Sequence, residues 1–354
     1  MPKGLYIAAT RPYSGKNTLC MGIGLRFQKE GLDPGYMKPV GALPTVKDGI
    51  QGDEDAFFMQ DVLGLNNPMD LVCPVLVTQD FKMRAFSREV PDHMPDIVKA
   101  YETLGEKHEL MILSGSGHMF SGKYSNLDAV AVAKQLQVKT IVIDRLHHEV
   151  NYDLLMAMRE SLGDLLIGAV LNDVPATFMT EIKSVIQPFL ERKGIPVLGV
   201  IPRDPLMGSI RANELTECLG GRLVAAQSRA DRMVENFLIG TMQVENFLNY
   251  FRRNQNAAVI VGGDRADVQL VAIEGNCPCL VLTGNLYPND IILSRADTMN
   301  VPIIMVREDT YTVAKKMEDL LVRHKLRDVQ KIRQGSQLVS STLNFNLIKE
   351  SLGI

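Results

Sequence analysis

The segment Leu5-Tyr-Ile-Ala-Ala-Thr-Arg-Pro-Tyr-Ser-Gly-Lys-Asn-Thr18 sets an apolar run directly before a Gly-Lys pair. A strand that ends in such a turn and opens a helix brings backbone N–H groups, a helix N-terminus and a lysine ammonium to one small volume, which is the chemistry that binds phosphate. Thr10, Ser14, Gly15, Lys16, Asn17 and Thr18 are therefore the candidate nucleotide-binding residues. The loop departs from the usual pattern twice. Ala9 and Thr10 stand where a glycine would open it, and Asn17 stands where a Ser or Thr hydroxyl would hold Mg2+. An Asn carbonyl is the weaker ligand for a hard cation, and Thr18 could substitute only by a shift of one residue. The plainer alternative is a strand-turn-helix in which Gly15 serves the turn and Lys16 is solvated.

A loop of this kind needs a sheet to position it. Short apolar runs at 5–9, 34–40, 110–113, 140–143, 166–171 and 197–201 alternate with amphipathic segments of helix length. That alternation predicts parallel strands buried on both faces and joined by right-handed crossovers. A helix is expected over 126–137, opened by Ser125 or Asn126 as a cap. Beyond 201, Pro202-Arg-Asp-Pro205, Gly208 and Gly220-Gly221 mark a boundary. A second series follows, with strands at 257–261, 279–282 and 301–306 and helices at 266–274, 290–299 and 312–321.

The expected fold is α/β: a parallel-sheet P-loop NTPase-like domain over 1–205, a linker over 206–220, a smaller α/β domain over 221–330 and a helical tail over 331–354, with 333–354 forming one amphipathic helix. The pentapeptide Val234-Glu-Asn-Phe-Leu238 recurs as Val244-Glu-Asn-Phe-Leu248. An echo this short is no repeat architecture; it reads as chance or as two similar helix faces.

Composition narrows the partners. The 354 residues exceed what one core usually supports, and 46% hydrophobic with 22% charged residues describes a globular chain. A net charge of -3 from 38 basic and 41 acidic residues leaves no block to grip nucleic acid or an anionic membrane. Neither a membrane-spanning run nor a secretory pattern is present, so a cytoplasmic location is expected. Five cysteines, without metal-ligand spacing, read as reduced buried thiols. Eighteen methionines and no tryptophan suggest an adaptable core.

Lys38-Pro39-Val40 lies about twenty residues beyond the loop, and the six-residue step from Ala9 to Gly15 precedes it. With Asp55 opening Asp-Ala-Phe-Phe-Met-Gln, Ser114-Gly-Ser-Gly117, Val170-Leu-Asn172 and Ile195-Pro-Val-Leu-Gly-Val-Ile-Pro202, residues 1–205 resemble the dethiobiotin synthetase family of ATP-dependent ligases. The resemblance implies that Lys38 contacts phosphate and substrate, making it the candidate catalytic residue. It also implies that Asp55 ligates Mg2+ and that Asn172 faces the adenine. Ser114 falls where that family has a Mg2+-holding Glu, and a hydroxyl cannot supply a carboxylate's charge. With Asn17, two of three metal positions are weakened, which should impair phosphoryl chemistry more than binding.

In the second series, Gly262-Gly-Asp-Arg-Ala-Asp-Val-Gln269 and Leu282-Thr-Gly-Asn285 resemble the DRTGG domain, with Asn285 in place of its last glycine. Asp264, Arg265, Thr283 and Gly284 become candidates for a second small anionic ligand at the carboxyl ends of adjacent strands. The alternative is local: Asp264 and Asp309 cap helices and Arg265 pairs with a neighbour. The order of the two domains is similar to the N-terminal regulatory half of long bacterial phosphate acetyltransferases. A chain ending at Ile354 leaves no room for their catalytic domain, so acetyl transfer is not expected.

Other candidates are weaker. His147-His148 could suggest a metal, but adjacent side chains point apart. His118 could reach a ligand in the crevice or belong to a surface turn. Ser114 and Ser116 lack the His and acid partners of a hydrolase. The sequence thus points to a regulatory or sensory protein binding ATP or another nucleotide, with weakened Mg2+ binding, no enzymatic turnover of its own and a homo-oligomeric state taken from the resemblance. The alternative is an ATP-dependent ligase of the dethiobiotin synthetase or cobyrinate synthase type, acting on a small carboxylate or amine.

Overall fold

The computed structural model describes residues 2–87, 91–146, 151–254, 256–322 and 328–354. Two compact units emerge, one from the N-terminus to Arg203 together with the C-terminal helices, the other beginning at Asp204.

In the first unit β1 (Lys3–Ala9) leads into α1 (Lys16–Lys29), followed by β2 (Pro34–Met37), α2 (Glu54–Leu63), α3 (Met94–Gly105), β3 (Leu110–Ser114), α4 (Ala129–Leu136), β4 (Lys139–Arg145), α5 (Asp153–Leu162), β5 (Leu166–Val174) and β6 (Val197–Pro202). The six strands lie in the order β6-β5-β4-β1-β3-β2, every pair parallel. Each residue of β1 from Gly4 onward and each residue of β3 is buried, which is why these strands read as unbroken apolar runs rather than alternating ones. The chain leaves β1 toward β2 on one side and crosses from β3 to β4 on the other. The loops after β1, β3 and β4 therefore part at their carboxyl ends and leave a crevice there.

Two boundaries differ from the sequence expectation. The helix expected over 126–137 begins at Ala129, because Lys123–Ser125 forms a tight turn closed by Asn126 at φ 54°. Asp128, rather than Ser125 or Asn126, is the cap, accepting a hydrogen bond from the Ala131 amide at 3.3 Å. The strand expected over 34–40 stops at Met37, since the Lys38 amide turns away to the Val72 carbonyl and Val40–Gly41 pairs with Val75–Leu76 instead.

The second unit holds β7 (Arg222–Ala225), β8 (Asn236–Ile239), α6 (Val244–Phe251), β9 (Ala257–Gly262), α7 (Ala266–Glu274), β10 (Leu280–Thr283), α8 (Asp290–Met299), β11 (Ile303–Met305) and α9 (Thr310–Val322). Its sheet runs β7-β11-β10-β9-β8, with only β7 antiparallel to its neighbour. Residues 206–220 carry structure of their own: a helix spans Ala212–Cys218, and Ala212, Leu215 and Leu219 join the core around Ile260 and Val281.

The repeated pentapeptide takes two conformations. In the first copy Val234 pairs with Ile210 and Asn236–Ile239 forms β8, while the second copy opens helix α6. Two similar helix faces are therefore not what the echo encodes.

The tail forms two helices, α10 (Val329–Thr342) and α11 (Phe345–Leu352), where one was expected. Leu343 is extended between them, and Asn344 caps α11 by accepting from the Leu347 amide at 3.1 Å. Both pack on the first unit. Gly22 of α1 admits Val339, Phe345 meets Phe27 edge to face at 5.8 Å, and Lys349 pairs with Glu30 at 3.1 Å. Cys20, Cys73, Cys277 and Cys279 are buried as expected, whereas Cys218 is exposed at the end of its helix. Among the described residues no helix is long and apolar enough to cross a membrane.

Candidate functional site

Gly15 makes the turn from β1 into α1. Its φ of 106° is open to glycine and strained for other residues, and a Cβ there would stand 2.4 Å from the Asn172 amide nitrogen. No side chain caps α1 and no acidic residue occupies its first turn, so the amides there face the crevice uncompensated. Ser14 is buried and its hydroxyl donates to the Arg11 carbonyl at 2.9 Å. Asn172, at the end of β5, donates to the Ser14 carbonyl at 2.8 Å and so braces the loop from behind. Thr10 is buried and donates to the Asp144 carboxylate at the end of β4. Asn17 and Thr18 are half-buried on the first turn of α1.

Lys16 reaches across to the loop after β3 and donates to the Gly117 carbonyl. Burial pulls its ammonium down from 10.5 to about 8, and the nearby charge of Lys38 pulls the same way. The Lys16 ammonium forms no ion pair with a carboxylate among the described residues, so it is the cation of the crevice left to an incoming anion.

Lys38 follows β2 and is 3% exposed. Its ammonium sits 2.6 Å from Asp55 and 2.9 Å from Asp53. Burial opposes that charge, but the carboxylates of Asp55 and Asp53 outweigh it and hold Lys38 above its ordinary value. Asp53 is fully buried and caps α2: one oxygen accepts from the Asp55 and Ala56 amides, the other from Leu43. A buried ammonium survives only with such partners. Asp53 was not among the candidates read from sequence, and its place in Gly52-Asp-Glu-Asp55 before a helix was the signal for a cap.

These positions fit a divalent cation poorly. Ser114, at the end of β3, is buried with its hydroxyl unpartnered, beside Tyr36 and Cys20, whose thiol burial pushes up to about 12. Asn17 offers only a neutral oxygen, and Asp55 is engaged by Lys38. Among the described residues no group of three or more His, Cys, Asp or Glu could hold a metal ion. His118 is exposed in a turn, its Nδ1 accepting from the Phe120 amide at 3.1 Å. The Ser116 hydroxyl donates to the Val40 carbonyl, so neither group has the partners of a nucleophile. His147 and His148 lie outside the described residues. Around the strand ends, Asp173 accepts from Arg145 and Arg203, each at 2.8 Å, an ion-pair cluster that sequence spacing did not reveal.

In the second unit Thr283 ends β10, and its hydroxyl lies 2.8 Å from that of Thr310 at the start of α9. Gly284 follows at φ 82°, exposed, its amide bonded to the Glu308 carbonyl. Arg265 makes two 3.0 Å hydrogen bonds to Asp267 and a further one to the Met242 carbonyl, the local pairing weighed as the alternative. Asp309 caps α9 through the Tyr311 and Thr312 amides, whereas exposed Asp264 does not cap α7, whose N-cap is Arg265.

A six-stranded parallel sheet with a Gly-Lys turn at the carboxyl end of a central strand defines a P-loop NTPase-like α/β domain. Residues 3–211 match the AAA domain family and residues 214–320 match the DRTGG domain. The chain belongs to that AAA domain family and carries a DRTGG domain behind it. It is 21% identical over 338 residues to the phosphate acetyltransferase of Deinococcus radiodurans, covering 90% of this chain and 47% of that protein. Over 200 residues it is 26% identical to the ATP-dependent dethiobiotin synthetase BioD of Methanococcus vannielii, covering 56% and 77% of the two chains. The chain spans about half the length of the phosphate acetyltransferases it matches. One solved likeness is the CBS and DRTGG domains of the regulatory region of Clostridium perfringens pyrophosphatase, complexed with its activator diadenosine tetraphosphate. It is 20% identical and covers 44% of this chain and 73% of that one, at a TM-score of 0.27, too loose a superposition to carry a ligand across.

Proposed function

We propose that the chain is a nucleotide-binding regulatory protein whose first unit grips the polyphosphate of ATP or a related nucleotide through a degenerate P-loop. The observation that carries this reading is the Gly15 turn, which places the uncapped first turn of α1 and the Lys16 ammonium in one crevice with Lys38. Helix amides and two ammonium groups suit several phosphate oxygens at once. Asn172 supports the reading as a brace on the loop.

The same geometry speaks against turnover. Phosphoryl transfer needs developing charge neutralised along the reaction path, and Ser114 and Asn17 offer no anionic oxygen for the metal that does this in P-loop enzymes. The ligase alternative keeps Lys38 and Asp55 as its candidates and predicts ATPase activity when Asn17→Thr and Ser114→Glu are combined. In the second unit Thr283, Gly284, Asp264 and Arg265 remain the proposed place for a second small anionic ligand, which would make the protein a two-input sensor.

Calorimetry with ATP on wild type and Lys16→Ala tests the reading. Binding by wild type that weakens by at least about tenfold in the variant, as expected for loss of a charge-assisted phosphate contact, supports it. Equal isotherms would remove the P-loop from the account.

A further inference from the structure

We infer that this crevice takes polyphosphate free of a divalent cation, the ammonium groups of Lys16 and Lys38 standing in for the metal. The inference rests on the nucleotide-binding reading and narrows its ligand to the uncomplexed anion.

Mg2+ demands near-octahedral oxygen ligands, drawn in nucleotide sites from a carboxylate or hydroxyl on the protein and from the phosphates. Here the residue after the loop lysine is Asn17 and the strand end across the crevice is Ser114, 1% exposed and lacking a hydrogen-bond partner. Asp53 spends both oxygens on the amides of Leu43, Asp55 and Ala56 and on Lys38. Lys38 holds one oxygen of Asp55 at 2.6 Å, and Asp144 at the end of β4 accepts from the Thr10 hydroxyl. One oxygen of Asp55 is thus committed to a buried ammonium, which leaves a divalent ion a single carboxylate oxygen there with no second anionic protein ligand beside it among the described residues.

An anion meets the opposite situation. Lys16 reaches only the Gly117 carbonyl and forms no ion pair with a carboxylate among the described residues, so a phosphate oxygen can accept from it and from the uncapped amides of α1. Free ATP brings about two more negative charges to this contact than its Mg2+ complex does, so chelating the metal should strengthen binding. Lys38 neutralises Asp53 and Asp55 inside the fold with two of its three donors, which leaves one for a phosphate oxygen.

The test is calorimetric titration of ATP into the full chain in EDTA and again in excess MgCl2, at equal ionic strength, with Lys16→Ala as control. The expected result is binding in EDTA that is as tight as in MgCl2 or tighter, by up to about tenfold, and weakened in Lys16→Ala under both conditions. Binding seen only with MgCl2 overturns the inference while leaving the nucleotide reading intact. Binding in neither condition removes the nucleotide reading itself. A thermal-shift series with MgCl2 alone adds a check independent of the variant: stabilisation by millimolar Mg2+ without nucleotide would reveal a metal site that the donor set does not provide, and would also overturn the inference.

Discussion

Lys16→Met should make the protein more stable at neutral pH while abolishing phosphate binding. In the folded protein the Lys16 ammonium is pulled down from 10.5 to about 8, mainly by burial and further by Lys38. A group whose folded value lies below its unfolded one opposes folding whenever it is charged, here at every pH below about 8. At ~1.4 kcal/mol per pH unit the full displacement corresponds to about 3 kcal/mol. Lys16 is only half-buried, so water screens part of that cost, and the variant also forfeits the hydrogen bond to Gly117, a loss of about 1 kcal/mol. The net expectation at pH 7 is a gain of about 1 kcal/mol in urea denaturation followed by circular dichroism.

The pH dependence gives the sign. Between about 8 and 10.5 the unfolded chain holds more protons than the folded one, so wild-type stability should rise through this range while that of the variant does not. By pH 10 the difference should shrink and reverse, leaving the variant weaker by the lost hydrogen bond. A variant less stable than wild type at pH 7, or a difference independent of pH, would refute the account of Lys16 as a cation held at a cost to the fold.

Four further outcomes follow from the same contacts. Gly15→Ala should lose nucleotide binding by calorimetry and cost at least about 1 kcal/mol in melting experiments, because φ 106° is strained for alanine and the new Cβ meets Asn172. Nucleotide affinity should fall above pH 8, by up to about tenfold per unit, as free Lys16 gives up its proton, and the slope should vanish in Lys16→Ala. Asp53→Ala should cost about 3–5 kcal/mol in chemical denaturation, since it strips a buried ammonium of one partner and α2 of its cap, whereas Asp55→Asn, at a quarter-exposed position, should cost under about 1 kcal/mol. Gly22→Ala should destabilise the first unit by about 1–3 kcal/mol by pressing on Val339 of α10, and Val339→Ala should rescue part of that loss in a double-mutant cycle.

How far each feature could be read from sequence depends on the range of the interaction behind it. The Gly15-Lys16 turn and the doubly buried strands were legible because a turn, a helix start and an apolar run are set by neighbours in the chain. The pairing of Lys38 with Asp53 and Asp55 was not, since it depends on where β2 ends and how α2 is capped. The brace from Asn172 to Ser14 spans 158 residues, and the Thr10 contact with Asp144 spans 134. Nothing local announces either. The resemblance supplied Asn172 as a candidate, but its contact with the loop came from the sheet that sets the ends of β1 and β5 near each other. The tail could be read as helical from its pattern, yet its docking on α1 required knowing that Gly22 leaves a hollow for Val339.

Val-Glu-Asn-Phe-Leu marks the limit most clearly. The residues by themselves determined amphipathic alternation and a need to bury Val and Phe, which both a strand and a helix can satisfy. Tertiary structure made the choice. At 234–238 the ladder of β9 offered unpaired backbone groups and β8 formed against them, whereas at 244–248 the backbone bonded within itself as helix α6, with Phe247 buried and stacked 5.4 Å from Phe251. A five-residue preference amounts to a few tenths of a kcal/mol per residue, and the hydrogen bonds and burial supplied by a neighbouring element outweigh it.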